Sequence, residues 1–542
     1  MNVNPPRRAC VCRALVLGWV AAGGTSVARA QAPPTPTLAP PASVAAPSSE
    51  LLLQELRLLR EQVNQLTKSQ ASQLQEIERL KSKLKANEIE APPPAEGNPA
   101  ARAPRSDATR LGFAGARDNV ALPSTLPPAW GPRTAPVRTH FGPGFEIETL
   151  DSEFQLQIHN ETQVDARIFG NEHEGVLFPN SGLYIPRERW YFMGRITKPI
   201  EYYTSTNQVF GTFNLLDAFL NFHYDDRLML KVGRFKPPFP FEFYGLSNQD
   251  LIAPERSLFA LNFGPGRQVA AMLWGELLKK RLGYGVAISD GQRNSYLDFN
   301  SGKDIEALVN FKPFQDSEGA KLLKHWNIGG SLDFGIENNP LNPNGFYTAT
   351  TFPTNDPNAL RASPTFLQFN SNVRERGIRE LWSLHTALFY KHLSLLGGWN
   401  SGRNSYSLAS NTTSTALPVQ AFFVQAAYFL TGETVEGRSQ VKPLHPFDLR
   451  KGKRGLGAVE VHARYATLNV GDQIFTAGFA DPNLWSNQAF TIDTGWNWYL
   501  NQYVKLYFDW QHAEFGQPVT HGGPNSSART SNLYWVRFQL YF

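Results

Sequence analysis

The feature that most constrains this chain is an alternation of apolar and polar residues with a period of two, repeated from about residue 141 to the end. In residues 504–511, Val, Leu, Phe and Trp alternate with Lys, Tyr, Asp and Gln. This period places successive side chains on opposite faces of a β-strand. Long polar stretches separate the alternating segments, so short turns and long loops should alternate. The sequence therefore predicts a β-sheet body with one apolar and one polar face.

Two classes of β protein would produce this pattern, a soluble sandwich and a membrane barrel. Aromatic residues collect at the ends of the apolar faces, as interfacial girdles require: Trp496, Trp498, Tyr499 and Trp510. No segment has 18 consecutive apolar residues, so a membrane crossing would use strands. Residues 141–542 accommodate about 16 strands at about 25 residues per strand and connection. We therefore predict an all-β transmembrane barrel of about 16 antiparallel strands.

Residues 1–30 have the features of a secretory signal peptide. Three arginines precede a short apolar stretch at residues 14–22, and Ala28-Arg29-Ala30 is a small-x-small cleavage site. Cys10 and Cys12, the two cysteines of the chain, both lie inside this segment. The mature chain would therefore lack disulfides, zinc–thiolate clusters and thiol catalysis, which is typical of a bacterial envelope protein. We expect export to the outer membrane after cleavage near Ala30.

The charge balance argues against nucleic acid as a partner. The chain has 52 Lys and Arg against 47 Asp and Glu, a formal charge of +5. Four of the arginines belong to the signal peptide, which leaves 48 − 47 = +1. Residues 141–542 contain 35 basic and 37 acidic residues, a balance of −2. No basic surface of the kind that binds nucleic acid is expected.

The region before the barrel divides into three parts. Residues 31–49 and 91–140 are Pro/Ala-rich linkers, whereas residues 50–90 carry a heptad pattern. The seam positions follow a 4-3 spacing: Leu52, Leu56, Leu59, Val63, Leu66, Gln70, Gln73, Ile77, Leu80 and Leu84. We predict an α-helical coiled coil on the periplasmic side. It is compatible with a trimer, and an amphipathic helix lying on its own domain is the alternative.

No catalytic constellation stands out in the sequence. The GxSxG, HExxH, Walker A and complete GxGxxG motifs are missing, and the eleven histidines are scattered. Paired carboxylates such as Asp225 and Asp226 occur where a strand should end, as is typical of a solvated turn. We therefore expect neither an enzyme nor a bound cofactor.

Several segments, in order and in register, resemble the phosphate-selective porin O/P family over roughly residues 145–542. They are LDAFLNF at 216–222, KVGRFKPPF at 231–239, PERS at 254–257, FVQAAYFLTGE at 423–433, GAVEVHARYATL at 457–468, NWYLN at 497–501 and the closing strand. The resemblance implies a trimeric sixteen-stranded porin with a loop folded into each lumen. It also implies passive diffusion of small solutes, with basic residues guiding anions such as phosphate or polyphosphate.

The strand around residues 187–196 is the first candidate for anion binding. If Trp190 and its alternate neighbours face lipid, the other face turns four residues to the lumen: Arg187, Arg189, Tyr191 and Arg195. Guanidinium groups stay charged and bind phosphate oxygens in a forked geometry. The family has an arginine pair near this place, which Glu188 interrupts here. The alternative is that these arginines pair with lumen carboxylates such as Asp165 or form interfacial salt bridges.

The second candidate for anion binding comprises Lys231, Arg234 and Lys236, which precede the proline-rich segment 237–254. Lys231 shares a strand face with Met229 and should point inward. Prolines cannot continue a central strand. The resemblance implies that the following segment is the lumen loop, with Glu255 and Arg256 near its end; an external loop is the alternative.

The last strand carries a predicted assembly signal for the barrel-assembly machinery. Aromatic and aliphatic residues occupy every second position up to the C-terminus, including Tyr534, Phe538, Leu540 and Phe542. The main rival to a porin is a barrel that only anchors a coiled-coil spacer reaching peptidoglycan. A soluble polysaccharide-binding β protein ranks third.

Overall fold

The computed structural model describes residues 136–142, 144–170, 181–209, 212–349, 364–452, 454–520 and 527–542. The predicted signal peptide, the first linker, the coiled coil and the second linker up to residue 135 lie outside these ranges. The first strand begins at Val137, just before the predicted start of the barrel body at residue 141.

Strands make up most of the described chain. They are β1 (Val137–Gly142), β2 (Gly144–Thr149), β3 (Gln155–Phe169), β4 (Gly182–Thr197), β5 (Ile200–Val209), β6 (Thr212–Asp225), β7 (Leu228–Phe235), β8 (Gln268–Leu277), β9 (Leu282–Ser289), β10 (Asp304–Phe311), β11 (His325–Leu341), β12 (Phe346–Tyr347), β13 (Thr365–Leu367), β14 (Val373–Tyr390), β15 (Leu393–Leu408), β16 (Thr415–Phe429), β17 (Ala458–Val470), β18 (Gln488–Tyr499), β19 (Val504–Thr520) and β20 (Ser527–Tyr541). Short helices are α1 (Phe241–Tyr244), a 3₁₀ turn (Asn248–Asp250), α2 (Leu258–Phe263) and α3 (Gln473–Thr476). Among the described residues, no helix is both long and apolar enough to cross a bilayer.

Sixteen of these strands close into a ring. From β3 to β11 each strand pairs antiparallel with the next, β11 pairs directly with β14, and the pattern continues to β20. The ring closes because β20 pairs with β3, from Leu533 opposite Phe169 to Tyr541 opposite Glu161. A closed antiparallel ring leaves no strand edge unpaired, as a lipid environment demands. The prediction of an all-β barrel of about 16 strands is confirmed.

The hairpin of β1 and β2 lies at the seam where the barrel closes. β2 pairs with the first residues of β3, with Phe145 opposite Ile158. Beyond that point β20 pairs with the same edge of β3. The backbone N–H and C=O of Phe542 each form a hydrogen bond of 3.2 Å with the backbone of Asn160. The two ends of the described chain thus share one edge of a single strand.

The burial of side chains is the reverse of that in a soluble protein. On β3 the inward residues Gln163, Asp165 and Arg167 are fully buried, whereas Ile168 is 57% exposed. On β20 the exposed side chains are the apolar ones, such as Val536 at 38%. Apolar surface that faces outward around a polar interior is the arrangement of a lipid-embedded barrel. The two soluble alternatives, a sandwich and a polysaccharide-binding β protein, do not fit this burial pattern.

The strand connections depart from the expected alternation of short turns and long loops. Short turns lie at one end of the barrel, for example at residues 198–199, 226–227 and 391–392. Because neighbouring strands are antiparallel, residues 430–457, which join β16 to β17, belong to this same end despite their length. We call residues 430–457 the β16–β17 segment. It is long because part of it turns back into the barrel.

Candidate functional site

The chain leaves the barrel wall after β7 at a cluster of prolines. Pro237, Pro238 and Pro240 have no backbone N–H and cannot continue the ladder of a central strand. Residues 236–267, which we call the lumen segment, carry α1, the 3₁₀ turn and α2 before the chain returns to the wall at β8. Every residue of α2 is buried.

Side chains of the barrel wall hold the lumen segment through its carbonyl groups. The Nζ of Lys505 donates to the carbonyl of Leu251 at 2.7 Å. The amide of Asn497 donates to the carbonyl of Ile252 at 2.9 Å, and a guanidinium nitrogen of Arg464 donates to that of Glu255 at 2.6 Å. Because these donors come from the inward faces of β17, β18 and β19, the segment lies inside the barrel. The contacts support the lumen-loop interpretation over an external loop.

A network of ion pairs fixes the end of the lumen segment. Glu255 accepts from Arg187 at 2.7 Å and from Arg537 at 3.0 Å, and Arg537 also pairs with Asp165 at 2.6 Å. Burial alone would raise the pKa of Glu255, but the guanidinium groups of Arg187 and Arg537 hold it below its ordinary value. Asp165 pairs in addition with Arg167 at 2.7 Å. The network thus joins three guanidinium groups to two carboxylates, and each guanidinium contacts at least one carboxylate.

Arg256 stabilises the lumen segment from within. Its guanidinium donates to the side-chain oxygen of Asn248 and the carbonyl of Leu246, both at 2.6 Å. It also donates to the carbonyl of Glu242 at 3.1 Å. These three hydrogen bonds therefore engage the guanidinium of Arg256 with residues of its own segment.

The β16–β17 segment narrows the lumen from the opposite end. Its Arg438 pairs with Glu460 of β17 at 2.6 Å and donates to the carbonyl of Asp250 in the lumen segment at 3.2 Å. The two segments are therefore joined inside the barrel. The sequence indicated only that long polar stretches separate the alternating segments, and nothing in the local pattern placed this one in the lumen.

A cavity of about 200 Å³ remains between the lumen segment and strands β4 to β7, and Tyr541 of β20 also lines it. Four cationic side chains line it, from Arg189, Lys231, Lys236 and Arg267. Asp217 is the one acidic residue among those lining it. The formal charge of the lining groups is therefore 4 − 1 = +3. The other lining residues are polar or aromatic and include Tyr191, Tyr203, Phe219, Tyr244 and Tyr541.

Two of these cations have a nitrogen that makes no hydrogen bond within the described residues. The Nε of Arg189 donates to Asn207 at 3.2 Å, while its Nη1 lies 3.6 Å from Glu161 and makes no hydrogen bond within the described chain. The Nζ of Lys231 lies over the rings of Phe219 and Trp274, at 4.7 and 4.9 Å from their centroids. Cation–π contacts position the ammonium without neutralising its charge.

The other two cations differ in how firmly they are held. Arg267 pairs with Asp217 at 3.1 Å, and Asp217 also accepts from the hydroxyl of Ser205 at 2.6 Å. Lys236 is 3.5 Å from the carbonyl of Phe243, a weak contact. Sequence reasoning missed Arg267, since it is the last residue of the lumen segment and no strand pattern marks its face.

The structure brings together some of the predicted anion-binding residues and separates others. Arg189, Tyr191, Lys231 and Lys236 meet at the cavity. Arg187 is engaged by Glu255, and Arg195 pairs with Glu148 of β2 at 2.7 Å. Arg234 donates to the carbonyls of Asn294 and Ser295, outside the lining of the cavity. The alternative of carboxylate pairing thus applies to Arg187 with Glu255 and to Arg195 with Glu148, and Arg189 lies 3.6 Å from Glu161.

The residues of the predicted assembly signal lie along β20. Tyr534 and Phe538 face outward and are 52% and 40% exposed. Leu540 is half-buried, and Phe542 hydrogen-bonds Asn160 at the barrel seam. Recognition of this strand by the assembly machinery stays a prediction.

Comparison with known proteins gives one family and several structural neighbours. The family profile described as Phosphate-selective porin O and P matches residues 180–542. An anion-selective porin from Comamonas acidovorans is 11% identical, with a TM-score of 0.43 over 72% of this chain and 100% of that one. OmpF of Salmonella typhi is also 11% identical, with a TM-score of 0.43 over 75% and 100% of the two chains. No curated protein matches the sequence.

Proposed function

Since the chain belongs to the phosphate-selective porin O and P family, we propose that this outer-membrane porin is a passive channel that favours anions such as phosphate or polyphosphate. The observation that carries the proposal is the cavity charge of +3 next to the lumen segment. Small solutes would pass beside this segment, through the space that Arg189, Lys231, Lys236 and Arg267 line.

Local charge outweighs bulk charge at such a constriction. Residues 141–542 sum to −2, and many of the inward charges form buried ion pairs that cancel. Screening at physiological salt limits distant charges to a reach of about 8 Å. A narrow passage with low-dielectric walls focuses the field of the charges that line it. The four cations of the cavity therefore dominate the potential that a passing anion experiences.

Lys231 and Arg189 are the residues that we assign to direct anion contact. Lys231 is held by cation–π contacts, and Arg189 makes no hydrogen bond to the nearby carboxylate of Glu161, which lies 3.6 Å away. Tyr191 lies beside them and donates its hydroxyl to Glu161. In this proposal Arg187, Arg195, Arg234 and Arg256 act as structural groups rather than as parts of the anion path.

The proposed assembly follows from the family and from the sequence. We propose a homotrimer inserted by the barrel-assembly machinery, with the coiled coil of residues 50–90 on the periplasmic side. That helix would strengthen trimerisation or contact peptidoglycan.

The test is the reversal potential of the purified full chain in a planar bilayer under a salt gradient. We expect the sign that reports anion preference and a block of chloride current by millimolar phosphate. The double variant Arg189→Gln with Lys231→Gln should shift the potential toward cations and abolish the block. The control is Lys321→Gln with Lys324→Gln, which removes the same charge from exposed residues and should behave as wild type.

Two results would contradict the proposal. An unselective or cation-selective wild-type pore would leave a general porin without anion preference. A silent channel after deletion of residues 31–140 would favour the rival role of a plugged anchor, provided that the variant still folds and inserts.

A further inference from the structure

A group of carboxylates lies in the lumen wall outside the cavity described above. Asp304 and Glu306 of β10 meet Asp333 of β11, and oxygen atoms of the three side chains lie within 4.8 Å of one another. Glu306 and Asp333 are direct cross-strand partners, and Asp304 lies two residues away on the same face of β10. All three are at most 2% exposed. Three carboxylates are therefore held together in a buried place.

Two glycines leave room for the carboxylate oxygens of Asp304 and of the neighbouring Glu337. A Cβ atom added to Gly335 would lie 1.5 Å from Oδ1 of Asp304. A Cβ atom on Gly291, whose φ is +80°, would lie 2.7 Å from Oε1 of Glu337 and 3.0 Å from Oδ1 of Asp304. Any other residue at these two positions would displace the carboxylates.

The surrounding protein supplies too little positive charge. Arg379 of β14 is shared by Asp304 at 2.5 Å, Glu375 at 2.8 Å and Glu337 at 3.2 Å. The guanidinium of Arg293 donates instead to the carbonyls of Leu261 and Asn262. Arg379 therefore faces five carboxylates, counting Glu306 and Asp333.

Several buried oxygens of this group have no hydrogen-bond partner among the described residues. Glu306 accepts from the hydroxyl of Ser289 at 2.6 Å on Oε1, whereas its Oε2 makes no hydrogen bond there. Asp333 is 2% exposed, and its Oδ1 makes no hydrogen bond within the part of the chain that the structure describes. Burying an ionised carboxylate without a partner is strongly unfavourable. A bound cation or protonation of the carboxylates would compensate the charge of these oxygens.

We propose that Asp304, Glu306 and Asp333 bind a divalent cation, Ca²⁺ in preference to Mg²⁺, in the lumen wall. Ca²⁺ takes six to eight oxygen ligands at about 2.3–2.6 Å, so two oxygens on one ion lie at most about 5 Å apart. The spacing of 4.8 Å fits that limit. Mg²⁺ demands a nearly ideal octahedron and keeps its waters, which suits carboxylates fixed on two strands less well.

The bound ion would join three strands of the barrel. It would bridge β10 and β11 directly and reach β14 through the pair of Asp304 with Arg379. It would also cancel two negative charges of the lumen wall. This site is separate from the basic cavity, so its test does not depend on anion conduction.

The experiment is calorimetric titration of the detergent-solubilised full chain with CaCl₂, after removal of metals by a chelator. We expect saturable binding of one Ca²⁺ per chain, weakened by about tenfold or more in the isosteric variant Asp333→Asn. The control is Glu380→Gln, an exposed outward residue of β14 that pairs with Arg403, and it should bind as wild type does. Absence of saturable binding in the wild type, or equal binding by Asp333→Asn, would overturn the proposal.

A stability measurement keeps the proposal testable if Asp333→Asn fails to fold. CaCl₂ should raise the unfolding temperature of the wild type and of Glu380→Gln, but not that of Glu306→Gln. If protons rather than a cation neutralise the group, CaCl₂ will change none of these temperatures. Displacement of Ca²⁺ by an equal concentration of MgCl₂ would refute the stated preference.

Discussion

Arg187 of β4 donates a hydrogen bond of 2.7 Å to Glu255, which joins the barrel wall to the segment that fills the barrel. Both side chains are 3% exposed. The sequence pattern had placed Arg187 among the candidate anion-binding residues, and the family resemblance had placed Glu255 near the end of the lumen loop. The structure makes them partners, so the charge of Arg187 is compensated within the protein.

The pair predicts the effect of Glu255→Gln. Loss of the carboxylate leaves Arg187 and Arg537 buried without their shared partner, and breaking a buried pair costs about 3–5 kcal/mol. We expect a lower unfolding temperature and larger fluctuations of single-channel current as the lumen segment loosens. Gel mobility after stepwise heating and bilayer recordings measure the two effects. Glu276→Gln, in an exposed part of β8, is the control; equal melting of the two variants would contradict an anchoring role.

The variant Arg267→Gln tests the electrostatics of the cavity. It removes one cation and leaves Asp217 without the guanidinium that lies 3.1 Å away. We therefore expect the reversal potential to move toward cations and the block by phosphate to weaken. Arg227→Gln is the matched control, since Arg227 is 74% exposed in a turn and pairs with Asp225. Equal shifts in both variants would show that total charge, not the cavity, sets the selectivity.

Deletion of Phe542 tests the predicted assembly signal. Phe542 ends the alternation of β20, and its backbone forms two hydrogen bonds of 3.2 Å with Asn160 where the barrel closes. We expect normal export but little folded, heat-modifiable protein in the outer membrane. Phe334→Ser removes an outward-facing phenylalanine of β11 and should assemble normally. Wild-type levels of the folded deletion variant would count against the signal.

A peptide of residues 48–90 tests the heptad pattern, which lies outside the described residues. We expect it to be helical and oligomeric, with weaker association when Leu59 or Leu80 becomes Ala. Each buried Leu→Ala change costs about 2–5 kcal/mol, and an oligomer loses that amount in every chain. Circular dichroism and sedimentation measure both properties. A peptide that stays monomeric at high micromolar concentration would refute the coiled coil.

The alternation of residues determined which way each strand side chain points. Lys231 shares a face with Met229, which is 4% exposed, and the neighbouring Leu230 is 38% exposed on the other face. Likewise Arg187 and Arg189 point inward and Trp190 outward. A period of two is a local property of an extended backbone, so a few residues suffice to specify it. Strand number and barrel closure follow from the same alternation and the chain length.

Only the tertiary structure decided which inward groups meet. Glu255 reaches Arg187 across 68 residues and Arg537 across 282, because the lumen segment folds back through the barrel. The same folding compensates Arg187 and leaves the charge of Lys231 facing the cavity, although both occupy equivalent inward positions in the sequence. Pairing across a lumen depends on the course of the chain after Pro237, Pro238 and Pro240, and on which side chains of the wall then lie within reach of the segment. Neither is encoded in the period of a strand.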